Sequence, residues 1–252
     1  MAGNNELTGK VAIVTGAGRN IGRAIALALA AGGASVVVNA RSNRAEADAV
    51  AREIEVLGGK ALVHVGNVAD AAEVQAMADA AVKKFGGIDI LINNAALRRE
   101  KSFAEMSYVE WREILDVTLD GAFHCAKACL PALRKSGAGS IVNIGGLSAH
   151  TGARDRAHVV TAKAGIIGFT RALAHDLASD GITVNCVVPG LIGTPHPKDR
   201  PEPAHHLTHQ TISGERGRPE EVAATVRFLC GPGARYINGQ AIHANGGAYL
   251  GA

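Results

Sequence analysis

The stretch Lys10 to Gly22, KVAIVTGAGRNIG, restricts this chain more than any other. Four apolar residues, Val11 to Val14, run into a glycine-rich turn, and the turn opens an alanine-rich apolar run that closes at Gly32-Gly33. This order reads as buried strand, phosphate-binding loop and helix. Gly16, Gly18 and Gly22 stand where a tight turn forms, where backbone approaches a pyrophosphate, and where the helix packs on its strand. Arg19, Asn20 and Ile21 complete the expected cradle. Glycines also end ordinary helices and strands; the place of these between a buried strand and a helix is what points to a nucleotide.

The same alternation continues down the chain. Ala34 to Asn39, Lys60 to Val65, Asp89 to Asn93, Ser140 to Ile144, Thr183 to Val188 and Gln240 to Ala244 read as further strands, separated by stretches of helical spacing. A composition of 47% hydrophobic but only 4% aromatic residues suits a parallel sheet filled by Ala, Val, Ile and Leu and covered on both faces. The expected fold is α/β, one doubly wound domain over residues 1–252. A formal charge of +3 spread along the chain gives no nucleic-acid footprint. The absence of a long apolar run and the polar start predict a cytoplasmic protein with no membrane partner. Cys125, Cys129, Cys186 and Cys230 lie in apolar segments without CxxC spacing and read as buried free thiols, with no metal site expected.

The turn after the second strand selects the cofactor. Where NAD enzymes place a carboxylate for the ribose 2′-hydroxyl, this chain has Asn39, then Arg41 and Ser42, with Arg19 in the phosphate loop. Two guanidinium groups complement a 2′-phosphate, so NADP(H) is favoured over NAD(H); the other reading makes both arginines solvated loop residues. Asn67 and Val68 follow the third strand, where Asn67 either bonds an adenine edge or forms the turn before the next helix. The fourth strand delivers Asn93, Asn94 and Ala95 to the same crevice.

These pieces, with Pro189-Gly190, Gly217-Arg218-Pro219-Glu220-Glu221, Gly239-Gln240 and Asn245-Gly246-Gly247, make the chain resemble the short-chain dehydrogenase/reductase family in its compact form. The resemblance implies a seven-stranded parallel sheet, NAD(P)-linked hydride transfer between alcohol and carbonyl, and a homotetramer. It also implies that Pro189, Gly190, Ile192 and Thr194 border the nicotinamide. The family's chemistry uses a tyrosine with a lysine one helical turn later, a serine and an asparagine. Lys163 matches the lysine, which in the family holds the nicotinamide ribose and lowers the tyrosine pKa, and which can persist here as a ribose ligand after the chemistry has changed; Val159 stands four residues before it, Gly146 takes the serine position and Thr118 the asparagine position. The interval from Gly146 to Val159 keeps the family's spacing, so the loss is not a shift of register. His158, His150 and Ser148 are the nearby residues able to take over; a histidine of near-neutral pKa is a competent general acid.

Residues 193–216, rich in proline and charge, form the expected substrate lid, with His196, His205, His206 and His209 facing solvent or an acidic small-molecule substrate. Three functions fit the sequence. One is an NADP-dependent oxidoreductase with a substituted proton donor, and another is a nucleotide-binding homologue without turnover. The third is a lyase or isomerase on the same scaffold.

Overall fold

The computed structural model describes residues 5–194, 206 and 210–251. One seven-stranded sheet runs in the order β3-β2-β1-β4-β5-β6-β7, with β1 Val11–Val14, β2 Ser35–Ala40, β3 Lys60–Val65, β4 Ile90–Asn93, β5 Ser140–Ile144, β6 Thr183–Pro189 and β7 Ala241–Ala244. Every neighbouring pair is parallel. The continuous apolar reading of β1 follows from burial on both faces. Ala12, Val14, Val36 and Val38 join one core, while the alternate residues Ile13 and Val37 join the other. Helices α1 (Asn20–Ala31), α2 (Arg44–Val56) and α8 (Pro219–Cys230) cover the first face through Ile25, Leu29, Ile54 and Val226. Helices α3 (Ala71–Phe85), α5 (Gly121–Ser136) and α7 (Ala157–Asp176) cover the second.

This is the doubly wound architecture expected from the alternation of elements. The chain builds outward from β1 to β3 and then returns past β1 to β4, so the strand order reverses between β1 and β4. A crevice opens at their carboxyl ends, where such sheets bind ligands.

Helix ends carry ordinary signals. Asp70 accepts from the Ala72 and Glu73 N–H groups to start α3, and Gly86 at φ +91° ends it. Ser107 and Glu110 form a capping box at α4 (Tyr108–Leu115). Between α4 and α5 the chain widens into a π-helical turn over Asp116–Asp120, braced by ion pairs from Arg112 to Asp116 and Asp120. Such widenings shift a helix face by part of a turn and recur at functional sites. A short helix α6 (Ser148–Thr151) precedes α7. The four cysteines are buried and free. Among the described residues no helix is long and apolar enough to cross a membrane. Most of the expected lid, including His196, His205 and His209, lies outside the described residues.

Candidate active site

The phosphate loop is shaped by close approach. A Cβ on Gly22 would lie 2.2 Å from the Gly16 carbonyl oxygen, and one on Gly16, at φ +61°, would lie 3.0 Å from the Ala95 Cα. Neither position can carry a side chain without moving backbone. Asn20 is held at φ +50°, a conformation that asparagine tolerates better than most residues.

Side chains from two strands latch this loop. Thr15 Oγ1 donates to the Ile92 carbonyl at 3.1 Å and accepts from the Asn94 and Ala95 N–H groups at 2.9 and 3.0 Å. Asn94 Nδ2 donates to the Thr15 and Gly16 carbonyls at 2.8 and 3.0 Å. Asn39 Oδ1 accepts from the Gly16 N–H at 3.2 Å, and its Nδ2 donates to the His64 and Gly66 carbonyls at 3.3 and 3.0 Å.

Three asparagines of the expected site have partners within the protein. Asn39, 2% exposed, lines the crevice and uses its amide to hold the loop backbone. Asn93 is buried inward, donating to Asn143 Oδ1 at 2.8 Å, and Asn143 in turn donates to Thr170 Oγ1 at 2.9 Å. Asn67 forms a turn, its Oδ1 accepting from the Ala69 N–H at 3.2 Å. The latch role of Asn94 was missed. Its signal was the adjacency of two asparagines at a strand end, only one of which can point into the crevice.

The crevice itself encloses about 470 Å³. Gly16, Gly18, Arg19, Asn20, Ile21 and Gly22 form one wall; Ala40, Arg41, Ser42 and Val68 form another; Asn94, Ala95, Ala96, Leu97, Arg98, Val117 and Thr194 close the far side. Arg19 and Arg41 are exposed at the rim and, among the described residues, neither is ion-paired. One acid, Glu46, also lines the space. Glycines that leave backbone bare, a helix N-terminus and two uncommitted guanidinium groups fit a phosphorylated dinucleotide.

Beyond Arg98 and Val117 lies the region where the family chemistry is expected. Lys163 is 9% exposed and its Nζ donates to the Ile144 carbonyl at 2.5 Å. Burial, and secondly the charge of Arg98, push its pKa down to about 8. A Cβ on Gly146 would touch only the Lys163 side chain, at 3.7 Å, whereas one on Gly145 would lie 2.8 Å from Cys186 Sγ. Gly146 is thus an open place and Gly145 a closed one. Val159, one turn before Lys163, is 3% exposed in a small apolar cluster with Ile114, Leu115 and Ala162. Thr118 sits in the π-turn with its hydroxyl buried and without a hydrogen-bond partner.

The candidate histidines are not in the crevice lining. His158 is 1% exposed, with both ring nitrogens shut away from solvent, and burial pushes its pKa down. The ring is thus packed away from the crevice. His150 packs against His243 and Tyr249, at 4.6 and 5.1 Å between ring centres, on the side of the C-terminal tail. Burial and the neighbouring His243 also lower its pKa. Ser148 is buried at the start of α6. Pro189, Gly190 and Ile192 shape the crevice from behind. The Pro189 carbonyl accepts from the Leu147 N–H at 3.1 Å, Gly190 abuts Asn245, and Ile192 bridges Gly217. Thr194 alone of this group lines the space.

The fold and the cradle together define a dinucleotide-binding protein of the Rossmann type. The family model described as enoyl-(acyl carrier protein) reductase matches residues 16–249, and the chain belongs to the short-chain dehydrogenase/reductase family of NAD(P)-linked oxidoreductases. It is 43% identical over 245 residues to a 3-oxoacyl-[acyl-carrier-protein] reductase of Synechocystis sp., covering 97% of this chain and 98% of the relative. A reductase of the same description from Staphylococcus aureus is 40% identical over 242 residues, 96% of this chain and 98% of its own. A short-chain dehydrogenase of Burkholderia cenocepacia, solved in complex with NADP, superposes with a TM-score of 0.90 at 36% identity, covering 96% of this chain and 99% of that one. A dehydrogenase/reductase of Sinorhizobium meliloti gives a TM-score of 0.92 at 31% identity, with 99% of each chain covered.

Proposed function

We propose that the protein is an NADP(H)-linked oxidoreductase that interconverts a carbonyl and an alcohol, with the Lys163 ammonium as proton donor in place of the family tyrosine. The observation that carries this reading is Lys163 itself, buried behind the open position Gly146 with its pKa pushed down to about 8. An amine in that range gives and takes protons near neutral pH. Neither Lys163 nor the two histidines are among the residues that line the crevice, and of the three Lys163 alone lies against the open position at Gly146.

The preference for NADP rests on Arg19 and Arg41 at the rim and on Asn39 standing where NAD enzymes place a carboxylate. The NADP complex of the Burkholderia relative is consistent with it. The loop N–H groups and the α1 N-terminus hold the pyrophosphate, and Ala95 and Ala96 let the nicotinamide half lie against backbone. NADPH, when bound, supplies the hydride. Lys163 then gives its proton to the carbonyl oxygen as charge builds there, and the neutral amine recovers a proton from solvent. The Ile144 carbonyl holds the ammonium in place throughout. Four copies assemble, as the family resemblance implies.

Calorimetric titration with NADPH and NADH comes first, followed by the pH dependence of carbonyl reduction. The expected results are tighter NADPH binding, a reductive rate that falls as pH rises through about 8, and loss of turnover with retained NADPH binding in Lys163→Met. No binding of either nucleotide would sink the reading. A second reading, a nucleotide-binding homologue without turnover, draws on Val159, which sits packed in an apolar cluster where the family keeps its proton donor. NADPH binding without consumption of any carbonyl would establish that alternative.

A further inference from the structure

In α3, α4 and α8 the acid three residues after the helix cap is spent on the chain's own backbone. Glu73 Oε2 accepts from the Asn67 N–H at 2.6 Å, Glu110 Oε2 from the Ser107 N–H at 2.9 Å and Glu221 Oε2 from the Arg218 N–H at 2.7 Å. Glu46 holds the same place in the first turn of α2. Its N–H donates to Asn43 Oδ1 at 3.2 Å, but its carboxylate makes, among the described residues, neither a hydrogen bond nor an ion pair. The side chain is half-buried and lines the crevice instead. A Cβ on Gly18 would lie 3.3 Å from the Glu46 Cβ and 3.5 Å from its Oε2, so the carboxylate stands against the phosphate loop, on the stretch of wall that Arg19, Arg41 and Ser42 share.

An uncommitted carboxylate in this place works against an anionic ligand. Beside two guanidinium groups it weakens the field that a 2′-phosphate meets, while its free lone pairs accept well from a hydroxyl. NAD differs from NADP at that one point, where it keeps a hydroxyl. The end of β2, where an acid would receive this hydroxyl, carries Asn39, whose amide is committed to backbone. The acid on the crevice wall comes from the next helix. Resting on the NADP(H)-linked reading above, we propose that Glu46 sets how far the site prefers NADP: its carboxylate accepts a hydrogen bond from the adenosine ribose 2′-hydroxyl of NAD(H) and opposes the 2′-phosphate of NADP(H), so that the protein binds both cofactors. Arg19 and Arg41 pull toward one nucleotide and Glu46 toward the other.

The test is calorimetric titration of the native protein, Glu46→Gln and Glu46→Ala with NADPH and with NADH, at low and at high salt. Removing the charge in Glu46→Gln is expected to tighten NADPH about 5-fold, a gain that shrinks at high salt. Glu46→Ala, which removes the acceptor as well, is expected to weaken NADH about 10-fold while NADPH binds no more weakly than to the native protein. An equal change in both nucleotides, which a merely structural contact at Gly18 produces, overturns the proposal, as does a ratio of the two affinities that neither variant moves. A native protein that binds neither nucleotide removes the cofactor reading itself; native binding with an unmoved ratio removes only the role of Glu46.

Discussion

At the phosphate-loop end of the crevice Thr15, Asn39 and Asn94 together make eight hydrogen bonds to backbone groups. At the β5–α7 end the pattern reverses. Thr118 Oγ1 and both His158 nitrogens are buried without a hydrogen bond, and Lys163 and Arg156 are cations taken out of water. A fully satisfied network is rigid and holds one geometry, whereas unmet polar groups in low dielectric are costly and persist where a ligand completes them. The first end is built to bind one constant partner. The second keeps an unmet Thr118 hydroxyl and a buried Lys163 ammonium that a variable partner can answer.

The contrast is broken most severely at Gly22. In Gly22→Val the new side chain collides with the Gly16 carbonyl, and NADPH affinity should fall by roughly 100-fold or more, read by calorimetry. A loop that accommodates valine without loss would show that close approach is not what holds the cofactor.

At the other end, Lys163→Met should stabilise the nucleotide-free protein. The folded pKa of about 8 lies below the ordinary value of 10.5, so burying the ammonium costs stability below pH 8, up to about 3 kcal/mol. For the native protein this cost is relieved as pH rises from 8 toward 10.5, because the unfolded chain then binds more protons than the folded one. Denaturant unfolding at pH 7 and at pH 10 should therefore separate variant from native protein more at the lower pH. A gap that does not shrink would mean the lysine is not held against its charge.

Asn39 and Arg41 sharpen the comparison as a pair. Asn39→Ala leaves the Gly16 N–H and two carbonyls unmet and should cost about 1–3 kcal/mol in stability, weakening NADPH and NADH alike. Arg41→Ala should leave folding unchanged and weaken NADPH by roughly 10-fold with NADH unaffected. Equal loss of both nucleotides in Arg41→Ala would remove the 2′-phosphate role.

The smallest effect belongs to Gly146→Ser, whose Cβ meets only the Lys163 side chain. Its melting temperature should stay within a few degrees of native. Val159→Tyr, by contrast, overfills the Ile114–Leu115–Ala162 cluster at about 1–3 kcal/mol. Restoring the family hydroxyls together should then raise carbonyl reduction at a stability cost that comes from position 159 alone.

Much of the scaffold was legible in the chain because its signals are local. A run such as VAIV buries on both faces wherever it occurs, and glycine at 16 and 22 reports a backbone need that no other residue meets. The residues at the positions where the family resemblance expects serine, tyrosine and asparagine were equally plain, since spacing along one helix and one strand is a property of sequence. Less legible was the direction in which a correctly placed side chain points. Asn39, Asn93 and Asn67 occupy the expected strand ends, yet each amide turns to neighbouring backbone or to a buried partner. For adjacent residues at a strand end, the alternation of the pleat decides which one sees the crevice, and the register of the neighbouring strands decides which carbonyls lie within reach.

By itself, then, the sequence determined the strand–loop–helix cradle, the alternation of strands and helices, and the presence of Gly146, Val159 and Thr118 where the family resemblance expects serine, tyrosine and asparagine. Tertiary structure alone decided that His158 is sealed and His150 faces the tail, that Arg99 finds a carboxylate while Arg98 does not, and that burial pushes the Lys163 pKa down to about 8. Composition and period act through the chain's own neighbours, but desolvation and charge pairing act through space. They depend on what α4, α7 and β5 bring within a few ångströms of one another.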